Sequence, residues 1–70
     1  MTLNTAEAGS DHTLIACNAP AKTRSKLETL GLVPGETINV ISTTGAGLII
    51  EVKNSRLALA HDLASSLIVT

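Results

Sequence analysis

The sequence predicts an all-β fold: a small closed barrel of about five short strands with one inserted helix. Three observations predict it. Short stretches of alternating or β-branched residues recur at regular spacing, at Thr13–Cys17, Glu36–Ser42, Leu48–Lys53, Arg56–Ala60 and Leu67–Val69. A helix, a stop, a rigid turn and a strand follow one another within Leu27–Val40. Hydrophobic residues make up 44% of the chain, yet Phe, Tyr and Trp are absent, so Leu, Ile, Val and Ala must build the core. Closing the sheet removes the exposed edges that so apolar a set of strands would otherwise present.

Residues 1–10 have no usable period and end near the turn-like Gly9-Ser10-Asp11. They read as a flexible lead-in, with Leu3 the residue able to pack, and residues 11–70 read as a single domain. Thr13–Cys17 alternates Leu14 and Ala16 against Ile15 and Cys17. Asn18-Ala19-Pro20 breaks that strand, and Pro20 suits the first position of a helix over about residues 20–30. Thr23, Leu27 and Leu30 form the stripe expected to be buried, and Lys22 and Lys26 the exposed one.

The joint comes next. Gly31 stands where a helix stop needs a left-handed residue. Pro34-Gly35 supplies Pro at the second and Gly at the third position of a type II turn. Leu27, Leu30, Gly31, Pro34 and Gly35 are therefore the structural joint that sets the angle between helix and sheet. From Glu36 the period becomes two, with Ile38 and Val40 on one face. Thr43–Gly47 reads as a flexible loop. Leu48, Ile50 and Val52 alternate inward, Asn54-Ser55 suits a tight turn, and Leu57 and Leu59 point inward on the return strand. His61–Ser66 has room for a short helical turn.

The totals exclude several classes of function. The 70 residues suffice for one domain, near the lower limit for a single core. A net charge of −1 offers no footprint for nucleic-acid phosphates. Without aromatics there are no stacking platforms for bases and no grooves for Pro-rich peptides. Cys17 has no partner for an internal disulfide, which points to a reducing compartment. Met1–His12 lacks the basic-then-apolar signature of a secretion signal, and no run approaches a membrane span. The expected location is cytoplasmic.

Thr23-Arg24-Ser25-Lys26-Leu27, Leu30-Gly31-Leu32-Val33-Pro34-Gly35 and Ile38-Asn39-Val40, followed by Leu57-Ala58-Leu59, Ala64 and Leu67-Ile68-Val69, resemble the FeoA family. The resemblance spans roughly Gly9–Val69. It implies an SH3-like barrel and an accessory or regulatory role in bacterial ferrous iron uptake. The implied partner is the cytoplasmic GTP-binding portion of the FeoB transporter. The same barrel type occurs as the C-terminal domain of iron-dependent repressors, which makes a stand-alone interaction module the alternative; no DNA-binding helices are expected here. A metal carrier is a third reading. The chain has Gly45-Ala46-Gly47 where the family has a Gly-Asp-Pro-like loop, and Ala60 where it has Arg. Ala19 replaces a frequent Ser cap, a loss of about 1 kcal/mol in helix capping.

The residues able to ligate or catalyse are His12, Cys17, Glu36, Glu51, His61 and Asp62. They form no Cys-x-x-Cys, no paired His at helical spacing and no carboxylate cluster, so neither a metal nor a cofactor is expected. His12 and His61 read as surface residues at element ends and Cys17 as a small buried hydrophobe. Nothing orients a base toward Cys17, and the glycines precede no Lys-Ser/Thr helix, so no enzyme is expected. Recognition by a surface is what remains. Ile49 projects from the outer face of its strand, with Ile41, Ala46 and Leu48 near the same end. Lys22 and Lys26, with Arg24, are the alternative, a basic helix face for an acidic partner.

Overall fold

The alternation of Leu48, Ile50 and Val52 sets the core. In the computed structural model, which describes all residues from Met1 to Thr70, these side chains are buried with Leu14, Ile38, Val40, Leu59, Leu67 and Val69. Every strand thus contributes to one cluster. The strands are β1 (Asp11–Cys17), β2 (Thr37–Thr43), β3 (Gly47–Val52), β4 (Ser55–Ala60) and β5 (Leu67–Val69). Helix α1 (Ala21–Thr29) lies between β1 and β2, and α2 (His61–Ala64) between β4 and β5. All pairings are antiparallel. The sheet order is β4-β3-β2-β1-β5, so β4 and β5 end the ladder without pairing to each other. Full closure by hydrogen bonds, expected from the apolar strands, is not reached.

The joint forms as its residues require. Gly31 has φ of +101° and Gly35 of +94°. The Glu36 amide donates to the Val33 carbonyl at 3.1 Å, closing the turn around Pro34-Gly35. Pro20 is the residue before the first helical position rather than that position itself, its carbonyl accepting the Arg24 amide at 2.8 Å. Leu27 is buried and Thr23 half-buried, but Leu30 is 49% exposed, which corrects the expected stripe. The helix stops there: Leu30 is its C-cap, the chain turns at Gly31, and Leu32 rather than Leu30 enters the core.

The lead-in is also corrected. Leu3–Thr5 forms a 3-10 turn, and Leu3 (0% exposed) and Ala6 join the core cluster. Thr2 bridges to Ile68, the Val69 amide donates to the Met1 carbonyl at 2.8 Å, and the Gly9 amide to the Val40 carbonyl at 2.7 Å. These contacts are long-range, so no local period announces them.

Two bulges shift the strand faces. The β1–β5 register passes from Leu14↔Val69 to Ala16↔Ile68, leaving Ile15 as the extra residue. Leu14 and Cys17 then share the core side, in place of Leu14 and Ala16, and Cys17 is half-buried against the cluster. Ile41 is the extra residue between Val40↔Ile50 and Ser42↔Ile49. The β3–β4 turn centres on Lys53-Asn54, with φ of +51° and +66°, one position earlier than Asn54-Ser55. Two positive φ values give the hairpin twist that strands prefer.

Candidate interaction surface

The outer face of β3 and β4 is built from side chains that the alternation turns away from the core. Ile49 pairs with Ala58 across the ladder, and Gly47 with Ala60. Ile49 is 39% exposed, and Ile41, at its bulge on the neighbouring strand, 38%. Beside Ile49 the small residues Ala46, Gly47, Ala58 and Ala60 leave a shallow apolar depression of about 320 Å³. Its floor depends on Gly47, because a Cβ there would overlap the Leu59 carbonyl. Strands β3 and β4 therefore approach closely at this end.

The rim is held by hydrogen bonds. The Thr44 Oγ1 accepts the amides of Ala46 and Gly47, each at 3.2 Å, and the Thr44 amide donates to the Gly47 carbonyl at 2.8 Å. His61 Nε2 lies 2.7 Å from the Thr44 carbonyl and donates to it. The segment expected to be a flexible loop is thus tied to itself and to the start of α2.

The expected partner-binding residues separate into three groups. Ile49 and Ala46 line the depression, and Ile41 is exposed on the adjoining strand. Leu48 is 2% exposed and points inward, so its side chain supports the depression from the core and offers little surface to a partner. Its place on the inward set of β3 explains this. Lys22 and Lys26 are exposed on α1, take part in neither ion pair of the chain, and do not line the depression. Thr44, Ala58 and Ala60 were missed, although the inward assignment of Leu57 and Leu59 already placed both alanines outward.

The polar candidates lie apart. His12 faces the Thr70 carbonyl through Nδ1 at 2.7 Å and Ser10 Oγ through Nε2 at 2.9 Å. Glu36 pairs with Lys53 at 3.6 Å and Glu51 with Arg56 at 3.9 Å, all partly exposed contacts of small energetic weight. No three His, Cys, Asp or Glu residues come together as a metal-holding group. No helix is long and apolar enough to cross a membrane.

Comparison with known proteins agrees with this architecture. The FeoA domain model matches residues 1–70. A crystal structure of an iron uptake regulatory protein, FeoA, is 30% identical with a TM-score of 0.91, covering 99% of this chain and 93% of that one. The zinc complex of Stenotrophomonas maltophilia FeoA, described as an SH3 domain protein, is 24% identical with a TM-score of 0.89, covering 100% and 89%. ScaR with bound zinc is 25% identical with a TM-score of 0.87, covering 99% of this chain but only 35% of that one. No curated protein matches the sequence. The fold is thus an SH3-like, mostly β barrel, and the chain belongs to the FeoA family.

Proposed function

We propose that this chain is an accessory, regulatory protein of ferrous iron uptake that binds the cytoplasmic GTP-binding portion of a FeoB-like transporter. The observation that carries the reading is the exposed Ile49 beside a hydrogen-bonded, apolar depression, on a FeoA domain without a gathered set of ligating side chains. Ile49, Ile41 and Ala46 form the contact, and Lys22 and Lys26 are a second, separate place on the surface. A related protein described as regulatory in iron uptake supports the role. The free thiol of Cys17 is consistent with work in the cytoplasm.

The barrel acts by binding rather than by chemistry. A bound protein shifts a transporter between conformations only by its difference in affinity for them, so the contact must discriminate between transporter states. A pull-down of the cytoplasmic transporter domain with this protein tests the reading. Retention of the domain is the expected result; its absence from the bound fraction refutes the partner. A second reading, favoured by the likeness in fold to a manganese-dependent transcriptional repressor, is a stand-alone SH3-like interaction module related to repressor C-terminal domains. That reading predicts no retention of the transporter domain.

A further inference from the structure

Strand β4 ends the sheet with no strand hydrogen-bonded along its outer edge. At the opposite end β5 is met by the lead-in through Thr2 and Met1. The two-residue turn at Lys53-Asn54 makes Val52 and Ser55 the hydrogen-bonded pair closing the hairpin. Ser55, Leu57 and Leu59 therefore direct their backbone groups to β3, and Arg56, Ala58 and Ala60 direct theirs outward. No turn, cap or side-chain hydrogen bond engages the amides of those three or the carbonyls of Arg56 and Ala58. The Ala60 carbonyl already serves the first turn of α2.

We propose that β4 is a self-association edge, at which two copies of this chain pair antiparallel about a twofold axis through Ala58. In this register the Ala58 amide meets the Ala58 carbonyl of the second copy. The Ala60 amide meets the Arg56 carbonyl, and symmetry repeats each bond. Outward groups thus find outward groups, and no like charges oppose one another.

Charge and shape favour the same occupant. Arg56 stands near the start of β4 and Lys53 in the turn before it, each in a loose, partly exposed pair with a glutamate of its own chain, and Asp62 lies just past the end of the strand. Antiparallel pairing sets each start beside the other copy's end. Across the β3–β4 ladder Ile49 stands opposite Ala58, so the axis continues one apolar row from Ile49 and Ala58 into the same residues of the second copy. The two depressions would then adjoin. The edge also lacks the usual protection: the β3–β4 register is unbroken, and Leu57–Ala60 contains no Pro and no charge. The inference does not depend on the transporter reading.

Sedimentation of the purified protein up to about 1 mM tests it, because weaker association falls below useful affinity. The wild type should pass with rising concentration from the 7.2 kDa species to one of twice that mass. Ala58→Pro removes the outward amide without touching the β3 ladder, and Ala58→Lys sets two cations face to face at the axis. Both should remain monomeric at concentrations where the wild type is dimeric, with unchanged circular dichroism. If Ala58→Pro unfolds, Ala58→Lys decides. A wild type that stays monomeric throughout overturns the proposal, as does a dimer that persists in the folded Ala58→Lys variant.

Discussion

The amide of Leu32 donates to the carbonyl of Leu27 at 2.9 Å, across the end of α1. The Gly31 amide reaches back to the Glu28 carbonyl at 3.0 Å, and both leucine side chains enter the core. Together these satisfy two helix-end carbonyls and seal the turn with an apolar contact. The arrangement also sets the packing of the helix exit: an atom placed at the Cβ position of Gly31 would lie 3.4 Å from Val52 Cγ1. One short segment thereby docks the helix, the β2 entry and the β3–β4 hairpin.

Gly31→Val tests that joint. A β-branched residue is strained at φ of +101° and must also fit beside Val52 and Lys53. The variant should lose more than about 1 kcal/mol of stability by urea denaturation. A midpoint equal to the wild type's would show that the exit is more pliable than this account holds.

The residues that were legible share one trait: their partners are close in sequence. Gly31 follows its helix directly, and Leu48, Ile50 and Val52 alternate without interruption. Ile15 and Ile41 were not legible as bulges, because an inserted residue is defined by the partner strand and leaves the local pattern intact. Residues 1–10 were read as flexible, with Leu3 alone able to pack, because the order of this segment depends on β5 and α2, at the far end of the chain. The turn position was missed because Lys53 is an uncommon residue at positive φ. At the surface, Ile49 followed from alternation. The depression did not, since it also requires the Thr44 and His61 hydrogen bonds.

Leu3→Ala tests the corrected role of the lead-in. Removing a fully buried leucine should cost about 2–5 kcal/mol, a large part of the stability of so small a domain. Thermal melts followed by circular dichroism check this. A melting temperature within a degree or so of the wild type would mean that residues 1–10 contribute little in solution.

Metal titration addresses the carrier reading. His12 and His61 each face a backbone carbonyl at 2.7 Å, and neither stands in a ligand group. Calorimetric titration with Fe(II) or Zn(II) at neutral pH should show no stoichiometric complex of micromolar affinity or better. A tight complex abolished by His12→Ala or His61→Ala would favour a metal carrier.

The central claim is that adjacent residues on β3 serve opposite ends, Ile50 in the core and Ile49 toward a partner. Ile50→Ala should lose about 2–5 kcal/mol through lost transfer energy and a residual cavity. Ile49→Asp should keep the wild-type thermal midpoint, since its side chain is partly in water already. The most direct measurement is calorimetric titration of the cytoplasmic transporter domain with wild type and Ile49→Asp, alongside their melts. The account predicts binding by the wild type, and at least about a tenfold weaker affinity for a fully folded Ile49→Asp. Equal affinity of the two folded proteins, or no binding by the wild type, would contradict it.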